Sequence, residues 1–359
     1  MRIGFVINPI AGMGGRVALK GTDGVVEEAI RRGAKKIAPM KAELFLKNLK
    51  SNPEFLAPSR EMGEFALKTH KFVYRVIYKA PEKTSAKDTK NTVRIFLEQK
   101  VDLIVFVGGD GTARDVASVV DKKVPIIGVP SGVKMYSSVF AVSPRDAARL
   151  VDLFEEGMTK LKDAEILDID EHAYRNNVLS IRLFGYAKVP YVPELVQNSK
   201  SEYYGEEEDE DKKSIAEFII ENMEKDTLYL LGAGTTVAKI AEVMGLKKTI
   251  LGVDALYNGK IIAMDLGEME ILKLLDKYPK AKIIITPIGS QGFIFGRGNQ
   301  QFSERVLERI GKENIITIAT PTKMKDLKKL RMDLENKSKF TGYYKVLVGY
   351  GKYKLVKVE

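Results

Sequence analysis

The stretch from Val101 to Val120 constrains this chain more than any other. Val101 to Val107 is β-branched and aromatic, with Asp102 its only charge, and reads as a buried strand. That run stops at Gly108-Gly109-Asp110-Gly111-Thr112, and then Ala113, Val116, Ala117 and Val120 recur at the spacing of one helix face. A glycine turn between a buried strand and a helix aims free backbone N–H groups and the positive helix end at whatever lies above it, as a phosphate site requires. Asp110 is out of place in a simple cradle, because a carboxylate repels phosphate unless it binds Mg²⁺ or takes a proton. A phosphate cradle with a built-in acid points to phosphoryl transfer. The alternative is a tight turn, with Gly supplying positive φ and Asp accepting at the helix start.

Around this turn, 3–8, 72–78, 101–107 and 124–129 read as strands, and 25–32, 41–50, 87–99, 112–120 and 144–156 as helices. Such alternation predicts an α/β fold with an open, mostly parallel sheet covered on both faces, its ligands at the carboxyl ends of the strands. The pattern loosens after Gly157, with strand-like pieces at Ala164–Ile169 and Val178–Phe184. Glu206 to Asp211 is an unbroken acidic run, read as a solvated, mobile loop rather than a Mg²⁺ site, before a helix from near Ser214. Alternation then resumes. Strands are expected at 228–231, near 248–253, and at 282–286 and 314–318, with helices after Thr236 and at 268–277 and 303–310. Tyr343 to Val358 reads as a closing hairpin around Gly349-Tyr350-Gly351. The expected organisation is an N-terminal domain over 1–160 and a second α/β domain over 161–359, with the active site in the cleft between them. Whether the tail 340–359 returns to the first domain is open.

The 359 residues include no cysteine, which removes disulfides, thiolate catalysis and Cys-based zinc sites together. Two histidines, His70 and His172, rule out a His-rich metal site and read as ordinary surface or partly buried residues. The net charge of +10 comes from scattered basic residues with acidic ones between them, so a pocket for nucleotide phosphates is expected rather than a nucleic-acid surface. With no apolar window long enough for a membrane span and a first strand beginning almost at once, a soluble, cytoplasmic protein without membrane partners is expected.

Two further stretches join the turn. Asn8-Pro9-Ile10-Ala11-Gly12-Met13-Gly14-Gly15 follows the first strand and continues to Thr22 and Asp23; so many glycines there fit close approach to a ligand, or else a mobile surface loop. Gly128 to Ser138 follows the strand at 124–129; Lys134 could neutralise a transferring phosphate, with Ser131, Gly132 and Ser138 positioning it. Thr84 or Ser85 is expected to cap the helix at 87–99. The chain has no Gly-x-x-x-x-Gly-Lys-Ser/Thr run, no clean Gly-x-Gly-x-x-Gly after a strand and no His-Arg-Asp loop. Gly232-Ala233-Gly234-Thr235-Thr236 is a near-copy of the first turn without its acid, and reads equally as a phosphate or nucleotide site or as a βα turn with a threonine cap.

Asn8-Pro9 with its Gly-rich sequel, and Gly108 to Thr112 after their strand, resemble the NAD kinase and diacylglycerol kinase superfamily. Ala11 to Val17, Lys20 to Gly24, Gly108 to Asp115, Gly132 to Met135 and Pro287 to Gln300 resemble its ATP-NAD kinase-like branch of prokaryotes. The resemblance covers nearly the whole chain and implies an NAD kinase/phosphofructokinase-like first domain. It also implies phosphorylation of the 2′-hydroxyl of NAD's adenosine ribose by ATP or polyphosphate. Mg²⁺ would be carried mainly by nucleotide phosphates, with no protein metal ligand assigned. On that pattern Asp110 would orient or deprotonate the hydroxyl, and Gly108, Gly109, Gly111 and Thr112 would hold phosphate and ribose groups. Two departures concern the acceptor. No Asn-acid pair follows the first domain, and Gly232 to Thr236 leads into a helix, more like the phosphate loop of sugar-phosphate isomerases of the ribose-5-phosphate type. The rival readings are a kinase of the same superfamily acting on a lipid or other alcohol, and a non-catalytic nucleotide-binding regulator. A homo-oligomer is the default for such proteins.

Overall fold

The computed structural model describes residues 1–19, 26–132, 135–169, 181–193, 195–196, 206–288, 292–327, 329–334 and 337–359. Five parallel strands, β1 (Arg2–Ile7), β2 (Glu54–Pro58), β3 (Tyr74–Tyr78), β4 (Leu103–Gly108) and β5 (Ile126–Pro130), make the first sheet in the order β3-β2-β1-β4-β5. The alternation is legible in the packing. Ile3, Phe5, Ile7, Leu103, Val105 and Val107 join one core, while Val6, Ile104 and Phe106 join the other on the opposite face. Gly4 is the exception that permits it, because a Cβ there would lie 2.6 Å from the Phe96 ring. The chain winds outward from β1 in one direction to β3 and then, from β4, in the other. The topological switch point, where open α/β sheets bind ligands, therefore lies between the carboxyl ends of β1 and β4.

The covering helices are α1 (Val26–Arg31), α2 (Ala38–Asn48), α3 (Glu64–His70), α4 (Ala86–Glu98), α5 (Asp110–Val120) and α6 (Pro144–Glu155). Ser85 caps α4 in a reciprocal capping box with Asp88, as expected. A long antiparallel hairpin follows, β6 (Lys160–Ile169) with β7 (Ile181–Tyr191). Ala164, Ile166, Ala187 and Val189 of this hairpin are buried in a core of the first sheet, and Leu195 and Val196 in the other. The hairpin therefore packs on the first sheet, where α5 and β5 cover its apolar side.

The second sheet has seven strands: β8 (Leu228–Leu231), β9 (Asp254–Tyr257), β10 (Lys260–Ala263), β11 (Ala281–Ile285), β13 (Ile315–Ile318), β15 (Gly342–Gly349) and β16 (Lys352–Val358). The short strands β12 (Phe293–Phe295) and β14 (Arg331–Met332) pair separately. The order is β10-β9-β8-β11-β13-β15-β16, with a parallel centre and antiparallel edges. Its helices are α7 (Glu206–Glu221), α8 (Thr235–Val243), α9 (Glu268–Lys277), α10 (Glu304–Ile310) and α11 (Pro321–Asp326). The tail forms the expected hairpin and pairs with β13, so it completes the second sheet instead of returning to the first.

Two local expectations are corrected. Residues 248–253 form no strand; the chain loops there and the strand begins at Asp254. Side chains take the place of a ladder: Thr249 N donates to Asp254 (2.6 Å), and the buried Lys248 ammonium donates to the carbonyls of Thr249 (2.7 Å) and Gly252 (3.2 Å). The acidic run Glu206–Asp211 opens α7 rather than forming a loop. Carboxylates are favoured in a first helical turn, Glu208 pairs with Lys212 one turn on, and Asp209 pairs with Lys239 of α8 at 2.7 Å. Among the described residues no helix is long and apolar enough to cross a membrane.

Candidate active site

Asp110 is the first residue of α5, with Gly109 as the N-cap, so the helix begins two residues earlier than the apolar spacing predicts. Its side chain is buried, and two backbone amides hold the carboxylate: Tyr136 N donates to Oδ2 at 2.7 Å and Ser137 N to Oδ1 at 3.0 Å. The donors come from the loop after β5. That loop is anchored in turn to the hairpin, where Ser137 Oγ donates to the Leu167 carbonyl at 3.0 Å and accepts from Leu167 N at 2.9 Å. Ser138 Oγ makes the same paired contact with Glu165. The Ser138 hydroxyl, engaged by the hairpin, holds the loop in place.

Three glycine-rich loops meet here. Asn8 Nδ2, after β1, donates to Thr112 Oγ1 at 3.0 Å across the switch point. Gly12 has a φ of +79°, and a Cβ there would lie 1.9 Å from the Ser131 carbonyl oxygen, so only glycine lets the first loop reach the third. Gly109 and Gly132 face each other so closely that a Cβ on Gly132 would come within 2.8 Å of Gly109 Cα. Gly108 is backed by Thr112, 2.4 Å from where its Cβ would lie. Gly14 and Gly15 sit in consecutive turns, with Gly14 O accepting from Val17 N and Leu19 N. Ser131 Oγ is buried and has no hydrogen-bond partner among the described residues, which leaves it available to a ligand. Gly111 lies in the first turn of α5, where backbone amides have no intrahelical acceptor. Thr22, Asp23, Lys134 and His172 lie outside the described residues. His70 pairs with Glu43 on the outer face of α2 and takes no part.

The two sheets meet around this site. Arg297, in the loop after β12, donates to the Val142 carbonyl of the first domain, and its guanidinium also lies 3.6 Å from Asp333 and over the Phe293 ring at 4.3 Å. Asp333 pairs with Lys41 of α2 at 2.6 Å. Burial pushes the Asp333 carboxyl up, but Lys41 and Arg297 outweigh it and hold it below the ordinary carboxylate range. Two residues beyond Arg297, the wholly buried Asn299 accepts from Ala233 N at 3.0 Å and so fixes the second glycine turn. Tyr136, Ser137 and Asn299 lie in stretches singled out in the sequence, but not in these roles, and Asp333 lies in none. Two act through backbone amides that any residue supplies, and the others by contacts spanning much of the chain.

Residues 3–159 match the model of the ATP-NAD kinase N-terminal domain, and residues 224–358 that of the ATP-NAD kinase C-terminal domain. The chain belongs to the ATP-NAD kinase family. It is accordingly a phosphotransferase of the kinase type, with the family's two-domain α/β architecture. No curated protein matches the chain. Within the family's N-terminal domain lie all three converging loops and Asp110, while the C-terminal domain contains the second glycine turn and Arg297.

Proposed function

We propose that this ATP-NAD kinase family member transfers the γ-phosphate of ATP, or a phosphate of polyphosphate, to the 2′-hydroxyl of NAD's adenosine ribose, giving NADP. The observation that carries the reading is the Asp110 carboxylate, fixed by two amides at the positive end of α5 where three glycine loops converge. In this reading the ribose hydroxyl donates to Asp110 and attacks the γ-phosphorus in line. The new O–P bond forms as the bond to the leaving diphosphate oxygen breaks, and the hydroxyl proton passes to Asp110 and then to solvent. Phosphoryl transfer depends on positioning and charge neutralisation more than on covalent help, and glycine backbone supplies both at close range. In this reading Gly12, Gly109, Gly111, Ser131 and Gly132 contact phosphate, the unpaired Ser131 hydroxyl supporting the assignment. Among the described residues no group of three His, Asp or Glu is placed to hold a metal ion. When bound at the nucleotide phosphates, Mg²⁺ neutralises charge developing on the transferred phosphate.

Incubation with NAD, Mg²⁺ and either ATP or polyphosphate, followed by an enzymatic assay for NADP, tests this. NADP formation with at least one donor is expected. A folded protein that forms none with either donor would refute NAD as the acceptor.

A further inference from the structure

We propose that Ser137 is a positioning residue for the phosphoryl transfer: its hydroxyl locks the loop after β5 onto the hairpin, and its amide, held in place by that lock, aims the Asp110 carboxylate. The inference rests on the reading of Asp110 as the group that serves the acceptor hydroxyl. One residue is bonded in two directions. Toward α5, Ser137 N donates to Asp110 Oδ1 at 3.0 Å, beside Tyr136 N on Oδ2 at 2.7 Å. Toward β6, Ser137 Oγ donates to the Leu167 carbonyl at 3.0 Å and accepts from Leu167 N at 2.9 Å. Ser137 is wholly buried and Leu167 is buried beside it, so water does not stand in for these bonds.

The geometry asks for a hydroxyl at this position. β6 pairs with β7 along one edge, and on its other edge Glu165 and Leu167 present their N–H and C=O groups to the loop. At Ser138 the main chain meets part of that demand, since Ser138 N donates to Glu165 O at 2.9 Å. At Ser137 it cannot, because the amide is turned to the carboxylate. A hydroxyl both donates and accepts, so it supplies to Leu167 what a neighbouring strand's backbone would. Alanine there would leave Leu167 N and O without partners and the loop free to shift. Asp110 itself stands between Gly109 and Gly111, which bring no side chains to brace it. The aim of the carboxylate therefore depends on the amides of the loop, and theirs on the hairpin. Transfer in line is sensitive to such placement, where an error of about 1 Å can cost ~10²-fold in rate.

Ser137→Ala in the full chain keeps the amide and removes the hydroxyl. Hydrogen exchange, which needs no turnover, should quicken about tenfold at the amides of residues 136 and 137 relative to β1 and β4, the scale of one lost hydrogen bond. Exchange that is unchanged there, or that quickens equally in those strands, overturns the proposal. In the NADP assay kcat should fall between about tenfold and a hundredfold, with KM for ATP and NAD within about twofold; a raised KM at unchanged kcat overturns it. A double-mutant cycle separates positioning from plain loss of structure. In the Asp110→Asn background Ser137→Ala should lower kcat by less than about twofold, because its effect passes through a carboxylate that is no longer there. A second full drop overturns the role. Ser137→Cys is close in shape and a weaker donor, so it should fall between serine and alanine in both readouts, and it carries the test if the alanine protein does not fold; wild-type exchange and kcat in the cysteine variant overturn the need for a hydroxyl. A protein that forms no NADP, yet shows the faster exchange at 136 and 137 in the variant, refutes the NAD kinase reading and upholds the hold of Ser137 on Asp110.

Discussion

At the scale of single residues, Asp110 anchors a loop and, in the proposed reaction, also serves the hydroxyl, two tasks that a substitution separates poorly. Its two oxygens accept from Tyr136 N and Ser137 N. In Asp110→Asn one oxygen becomes an NH₂ group that faces an N–H donor, so a buried amide loses its acceptor. Turnover should fall by ~10² or more, and stability should fall as well, by about 1–3 kcal/mol. Steady-state kinetics read beside thermal unfolding would check both; wild-type turnover in the variant would remove Asp110 from the chemistry. Lys248 makes a different residue-scale prediction. Burial pushes its ammonium down from the usual 10.5 to about 8, although Asp254 and Asp265 pull the other way. Between those values the unfolded chain holds a proton that the folded lysine has released, so stability rises with pH across the window. The gain is about 3 kcal/mol, absent below pH 8 and complete near 10.5. Lys248→Met should flatten that rise in urea midpoints measured from pH 7.5 to 10.5; an unchanged slope would show that another group titrates.

At the scale of elements, what was legible in the chain depended on whether local pattern or distant contact decides the structure. β4, α5 and the turn between them follow from neighbours in sequence, because burial on both faces leaves a continuous apolar run and a helix face repeats every three or four residues. β2 and α3 carry no such pattern: Glu54–Pro58 is five residues with a terminal proline, and Glu64–His70 is barely two turns, too short for periodicity to speak. The candidate site divides in the same way. Its glycines and Asp110 are visible as residue types, whereas the groups that aim Asp110 are main-chain amides 26 and 27 residues away. The acidic start of α7 shows composition misleading for a physical reason, since like charges that look disordered along the sequence are stabilised by the helix end, by Lys212 and by Lys239. Glu208→Lys reverses all of this at one position: it puts a cation at the positive end and next to Lys212. A loss of about 1 kcal/mol is expected, shrinking in high salt, and unfolding curves at low and high ionic strength would show it. A loss independent of salt would point to packing instead.

At the scale of the whole molecule, the two sheets are joined by a partly buried charge network, and its geometry bears on the chemistry. Lys41 stands on α2 against the first sheet, Arg297 and Asp333 belong to the second, and Arg297 reaches back to Val142 O. The Gly-rich first loop is part of the same contact, for a Cβ on Gly267 at the start of α9 would lie 3.3 Å from Arg16 O. Asp333 is the centre of the network, accepting from Lys41 Nζ and lying 3.6 Å from the Arg297 guanidinium. Removing Asp333 strands the buried Arg297 guanidinium, and because Asp333 and Lys41 are partly exposed the cost falls below the ~3–5 kcal/mol typical of fully buried pairs. Asp333→Asn should therefore lower the unfolding temperature at neutral pH. Its effect should vanish in strong acid, since a carboxyl held below its ordinary value contributes fully above that value and is lost as pH falls through the lowered one. Function should change in a particular way. A substrate held by loops from both domains needs the two sheets in register, whereas the two amides that hold the Asp110 carboxylate belong to the first domain. The variant should consequently raise KM for the acceptor more than it lowers kcat, and a high-viscosity or osmolyte-rich buffer that favours the compact form should recover part of the loss. A kcat defect with unchanged KM would mean that the network acts on the chemistry of the first domain instead of on how the two domains meet.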